Sequence, residues 1–101
     1  MYTDSGVEFD PKKNRKNQRK HDEVSLADGE PVLSDPWALT IEDPDAVDEE
    51  RWITLGMDAI GRLLLVVHVE RDGRPRILST RKASPNESKD YDAQRIRFQQ
   101  R

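Results

Sequence analysis

The sequence predicts an α+β fold, with N-terminal helices, a four-stranded antiparallel β-sheet and a C-terminal helix. Three observations carry that prediction. Leu63 to Val67 is the one long apolar run in a very polar chain; five consecutive aliphatic residues are short for a helix and suit a strand covered on both faces. Polar breaks that contain glycine flank it, at Asp58-Ala59-Ile60-Gly61 and Arg71-Asp72-Gly73-Arg74. The second holds Asp-Gly, a strong hairpin signal because tight turns need positive φ. Finally, Ser84-Pro85-Asn86-Glu87 is a capping box with proline at the first helical position, which fixes the start of a last helix.

In chain order, Val7-Glu8-Phe9 is a short extended lead-in to a helix that starts at Asp10-Pro11 and runs to about His21. Aspartate caps it and proline occupies its first position. Lys12 to Glu23 holds no apolar residue, so a buried stripe cannot anchor this helix. Lys13, Asn17, Lys20 and His21 share one face instead, either as a solvated stripe or as a nucleic-acid contact. From Val24 to Leu33, Gly29 and Pro31 limit any helix to a short or kinked one. Trp37 to Ile41 alternates as a first strand, Trp52 to Met57 supplies a second, Arg62 to Glu70 the central one and Arg76 to Thr80 the last. The helix from Ser84 runs past Tyr91, and Arg95 to Arg101 continues it or frays as a basic tail.

At 101 residues, with 34% hydrophobic and 37% charged side chains and a mean hydropathy of −0.94, the chain has material for one small core. Its boundaries fall as a flexible N-terminus over 1–6, one domain over 7–94 and a basic tail over 95–101. Cysteine is absent, which excludes disulfides and thiolate metal sites. No secretory h-region opens the chain and no run approaches a membrane span, so a soluble, cytosolic protein without membrane contact is expected. The net charge of −3 hides a segregation by sign, basic from Lys12 to Lys20 and acidic from Glu42 to Glu50. Phosphates are drawn to the first stretch and repelled by the second.

Neither histidine has a partner at metal-ligand spacing, no Gly-rich phosphate loop exists, and the acidic loop lacks the ligand order of a calcium site. What remains near the strand ends and the last helix is Arg51, His68, Arg76, Ser79, Arg81, Lys82 and Tyr91. Such groups suit a phosphodiester, because metal-free RNA cleavage needs a base for the 2′-hydroxyl, fixed positive charge at the phosphate and an acid for the leaving oxygen. Each also has a structural reading. Arg81 either reaches a cleft or is ion-paired at a strand end; His68, between two valines, is either functional or a half-buried imidazole; Tyr91 either acts or packs on the sheet. In a regular last strand, Arg76 and Arg81 point to opposite faces.

Phe9-Asp10-Pro11-Lys12-Lys13, Asn17 with Lys20-His21, Ser34-Asp35-Pro36, Glu50-Arg51-Trp52-Ile53-Thr54-Leu55-Gly56, Gly61-Arg62-Leu63-Leu64 and Arg76-Ile77-Leu78-Ser79-Thr80-Arg81-Lys82-Ala83 together resemble the BrnT family of toxins over about residues 7–92. The paired Asn-x-x-Lys-His and Ile-x-Ser-x-Arg-x-Ala elements are more specific than either alone. The resemblance implies a RelE-like fold and a ribonuclease toxin of a type II toxin–antitoxin system that uses no metal or other cofactor. It also implies masking by a BrnA-like ribbon-helix-helix antitoxin, through which the complex reaches operator DNA. Its motif residues map to Lys20, His21, Glu50, Arg51, Arg76, Ser79, Arg81 and Tyr91, with His68 at a strand position where a ring is usual. Arg81 and Arg51 are then expected to stabilise phosphate charge, His68 or Glu50 to transfer protons with Tyr91 nearby, and Lys13, Asn17, Lys20, His21, Arg76, Ser79 and Lys82 to hold RNA. A catalytically silent antitoxin-binding module is the competing reading, and a metal-dependent phosphodiesterase using the acidic loop a third.

Overall fold

The computed structural model describes residues 10–12, 15 and 24–99, the last three as backbone. Pro11, Lys12 and Arg15 are helical, and the Lys12 N–H donates to Asp10 Oδ1 at 2.8 Å, the cap anticipated from Asp-Pro. The remainder of that helix lies outside the described residues, and with it the stripe Lys13, Asn17, Lys20 and His21. Four strands follow: β1 (Leu39–Glu42), β2 (Trp52–Met57), β3 (Leu63–Arg71) and β4 (Arg74–Lys82), antiparallel in the order β1-β2-β3-β4. β1 starts two residues later than the sequence suggests. The Asp35 side chain accepts the Trp37 N–H at 3.0 Å and its carbonyl accepts the Ala38 N–H, so Trp37 and Ala38 belong to a turn. Asp72 and Gly73 have φ of 54° and 76°, the two positive values of the hairpin turn that Asp-Gly favours.

Gly29 and Pro31 divide Val24 to Leu33 as anticipated. Two 3₁₀ turns form, Leu26–Gly29 and Pro31–Ser34, the first held by a capping box between Ser25 and Asp28. Leu26 and Val32 of these turns, with Val24 just before the first, pack on Leu64, Val66 and Ile77 to make the core. We call this side of the sheet the inner face. It includes the cross-strand row Thr40, Thr54, Val66 and Thr80. The outer face carries the rows Leu39, Leu55, Leu65, Arg81 and Ile41, Ile53, Val67, Ser79. Leu55, Val69 and Tyr91 are buried apart from the inner cluster; along β3 the inner-facing Leu64 and Val66 are buried and the outer-facing Leu63, Leu65 and Val67 only partly so, which leaves the outer face more open than the unbroken apolar run suggests.

The C-terminal helix spans Pro85–Gln99, so residues 95–99 continue it. Its hold on the sheet is polar as well as apolar. Tyr91, 1% exposed, donates its hydroxyl to Asp35 Oδ2 at 2.6 Å, and the same oxygen accepts the Met57 N–H at 2.8 Å.

The first 3₁₀ turn approaches the sheet so closely that only glycine fits at position 29. A Cβ there would stand 2.9 Å from both Thr80 Oγ1 and Val66 Cγ2, on β-branched side chains with little freedom to turn away. Gly29→Ala should therefore lower stability by about 1–3 kcal/mol, read as a lower urea midpoint with an unchanged m-value.

Candidate active site on the outer sheet face

β4 is not regular. Val67 pairs with Ser79 and His68 with Ile77, so Leu78 is an extra residue opposite the Val67–His68 step. This bulge corrects the alternation expected for a regular strand. Arg76 pairs with Val69 and Arg81 with Leu65, both outer-face positions, so the two arginines share a face instead of diverging. Arg51 precedes β2, and its carbonyl accepts the Asp43 N–H at 2.7 Å. It joins Val69 and Leu78 around a cleft of ≈320 Å³ beneath the acidic loop. The outer face thus gathers Arg51, Arg76, Ser79 and Arg81. Arg81 lies four β3 residues from the Val69 row, about 13 Å at ~3.3 Å per residue.

Carboxylates hold two of these arginines. Arg81 makes a two-pronged pair with Glu87, Nη1 to Oε1 and Nη2 to Oε2, both at 2.8 Å. Glu87 is the third residue of the last helix, and its Oε1 also accepts the Ser84 N–H at 2.8 Å. The Arg81 contact, with the Ser84 bonds behind it and burial opposing, brings the Glu87 carboxyl down to about 2, while Glu87 raises the Arg81 guanidinium further. Arg51 Nε donates to Asp43 Oδ2 at 2.8 Å. The Asp45 N–H is the foremost reason that Asp43 is held below the usual carboxylate range, ahead of Arg51. Glu50 stands exposed beside Arg51 in the loop, and Lys82 is exposed beside Arg81.

His68 and Tyr91 are elsewhere. His68 pairs across with Trp52 and Ile77 on the inner face, away from Arg81. Its Nε2 lies 2.8 Å from Thr54 Oγ1, which lies 2.9 Å from Thr40 Oγ1, a hydrogen-bonded chain across three strands. Among the described residues, His68 Nδ1 is buried without a hydrogen-bond partner. Burial pushes the imidazole pKa down, against a smaller opposing pull from Glu70; a second ring proton would sit on the unpartnered nitrogen. Burial and the bond to Asp35 push the Tyr91 phenol up to about 12. Although burial works against its charge, Asp35 is held below its ordinary value by the Met57 N–H, the Tyr91 hydroxyl and the Trp37 N–H.

The structure therefore brings Arg81 and Ser79 together toward one end of β4 and Arg51 with Arg76 nearer the other, whereas Lys82 pairs with Leu64 at an inner-face position. Three acids that complete these arrangements, Asp35, Asp43 and Glu87, were not anticipated as partners from sequence. The capping box made Glu87 visible as a helix residue, but its approach to Arg81 requires the β4-to-helix connection. Among the described residues, no group of three or more His, Asp or Glu side chains is arranged to hold a metal ion, and no helix is long and apolar enough to cross a membrane.

Fold and site together define a small α+β protein whose outer sheet face gathers guanidinium groups. Residues 9–87 match the profile of the ribonuclease toxin BrnT of type II toxin–antitoxin systems, and the chain belongs to that family. The fold is similar to that of the Brucella abortus ribonuclease toxin BrnT, whose crystal structure matches with a TM-score of 0.57 at 23% identity, over 77% of this chain and 95% of that one. No curated protein matches the chain significantly.

The neutral, half-bonded His68 makes the fold sensitive to mild acid. Its folded pKa lies below the ordinary 6.5, so the unfolded chain binds the proton first and folding stability falls as pH drops through that value. The urea midpoint should decrease from pH 7.5 to 5.5, and His68→Phe should flatten that part of the profile.

Proposed function

We propose that this chain is the toxin of a type II toxin–antitoxin pair and acts as an endoribonuclease that inhibits translation and growth without a metal. The observation that carries the reading is the Leu78 bulge, which sets Arg76, Ser79 and Arg81 on one sheet face with Arg51. In this reading Arg81 stabilises the charge that builds on the scissile phosphate as the RNA 2′-hydroxyl attacks, since fixed donors there need no reorganisation, and Arg51, further along the same face, stabilises the charge of a neighbouring phosphate. Arg76 and Ser79 engage neighbouring backbone, Lys82 adds its charge from the exposed strand end, and the N-terminal residues Lys13, Asn17, Lys20 and His21 extend the RNA contact. Of the two proton-transfer candidates, Glu50, exposed next to Arg51, is the one on the loop that borders this face. His68 would have to act through the sheet and Tyr91 through Asp35, so both serve as support. A BrnA-like ribbon-helix-helix antitoxin covers the active face and brings the complex to operator DNA, in the cytoplasm where its RNA is found.

One observation favours the alternative of a silent antitoxin-binding module: Arg81 and Arg51 are already paired with Glu87 and Asp43. Inducible expression in bacteria separates the two. The nuclease reading expects growth arrest with loss of total RNA integrity, relieved by co-expressed antitoxin and by Arg81→Ala, whose product still binds the antitoxin. Normal growth from folded wild-type protein would favour the silent module. With purified protein, cleavage of an RNA oligonucleotide should persist in EDTA; its abolition and rescue by magnesium would return the acidic loop to consideration as a metal site.

A further inference from the structure

Arginine has five N–H donors in a rigid plane, and which of them are already engaged decides how it can meet a phosphate. Arg81 Nη1, the nitrogen cis to Cδ, donates to Glu87 Oε1 at 2.8 Å and to the Lys82 carbonyl at 3.1 Å. Nη2 gives one hydrogen to Glu87 Oε2 at 2.8 Å. Among the described residues, the Nε–H and the second Nη2–H are not engaged. These two hydrogens lie parallel on one edge of the guanidinium, the side-on fork that matches two phosphate oxygens. The Arg81 side chain keeps 36% of its surface exposed. Glu87 is itself fixed, because Ser84 donates its N–H to Oε1 and its Oγ accepts the Glu87 N–H at 3.2 Å.

We propose that Glu87 is a positioning residue for the nuclease reaction: it occupies the end-on edge of Arg81 and thereby presents the Nε–H/Nη2–H edge, in a set orientation, to the scissile phosphate. The inference rests on the reading above that Arg81 binds phosphate. It separates Glu87 from two other roles, an ion pair that only staples β4 to the helix and a carboxylate that masks Arg81 from RNA. A mask would occupy the edge that phosphate needs. Here the fork remains whole, and the helix cap holds the carboxylate in place.

Purified wild type, Glu87→Gln, Arg81→Ala and Arg81→Lys are compared on a single-stranded RNA oligonucleotide, with thermal unfolding in parallel. Glutamine preserves the cap acceptor and the side-chain length but offers an amide N–H₂ where Arg81 needs a second oxygen. Positioning requires Glu87→Gln to lose kcat about tenfold with KM within about twofold, in protein folded at the assay temperature. It also requires Arg81→Lys, which lacks the fork, to fall as far as Arg81→Ala. Wild-type or faster turnover by Glu87→Gln overturns the proposal in favour of a staple or a mask. Full activity of Arg81→Ala instead overturns the underlying reading of Arg81. NMR of the wild type with a non-cleavable 2′-deoxy oligonucleotide needs no substitution. Binding should shift the Arg81 Nε–H signal while the Glu87 carboxylate signal stays; displacement of Glu87 would also overturn the proposal.

Discussion

Asp35 is the point at which the layers of this protein are joined. Its carboxylate receives the Trp37 N–H from its own turn, the Met57 N–H from the end of β2 and the hydroxyl of Tyr91 from the C-terminal helix. One charged group thus ties the segment after the 3₁₀ turns to the sheet and to the helix. Charge-assisted hydrogen bonds are roughly twice as strong as neutral ones, which matters in a chain whose apolar content supports only a small core. Arg95 stacks over Trp37 at 5.7 Å and adds positive charge near the same carboxylate.

A second polar cluster does similar work at the adjoining β2–β3 turn. Asp58 accepts the Ile60 and Arg62 N–H groups and the Arg62 side chain, and Arg62 also reaches Asp28 in the first 3₁₀ turn at 3.0 Å. The inner cover is therefore fastened to the β2–β3 turn as well as packed on the sheet. Both clusters fasten the Met57 end of the sheet, and the acidic loop and the last helix bring their carboxylates to the outer face. Their carboxylates meet its arginines there, leaving orientation rather than unbalanced charge as the property of this site.

The bulge at Leu78 is a small departure with a large consequence. One extra residue reverses the side-chain alternation between Ile77 and Ser79, so that Arg76 and Arg81 emerge on the same side. It leaves His68 on the other face, where Thr54 and Thr40 complete part of its bonding. The outer-face guanidinium groups and the inner-face imidazole are separated by the sheet itself. This geometry gives His68 a part in stability and leaves the outer face to the guanidinium groups.

Local chemistry was legible in the sequence because it depends on neighbours in the chain. The Asp-Gly turn after Arg71, the capping box at Ser84 and Glu87, the proline start at Asp10-Pro11 and the break at Gly29 and Pro31 each follow from backbone freedom or hydrogen bonding within a few residues. The central place of β3 was also written in its unbroken apolar run, though its outer-facing Leu63, Leu65 and Val67 are only partly buried. Candidate site residues could be named, since position near the strand ends and the motif elements single out some of the 17 lysines and arginines, but their faces could not. A bulge adds a residue without leaving a distinctive sequence mark, and ion pairs such as Arg81–Glu87 and Arg51–Asp43 depend on where a loop or helix lands. The sequence by itself determined the elements, their order and the inventory of charged groups; the tertiary structure decided which of those groups share a face and which carboxylates hold them, because register and side-chain direction are set by pairing between strands rather than by any one of them.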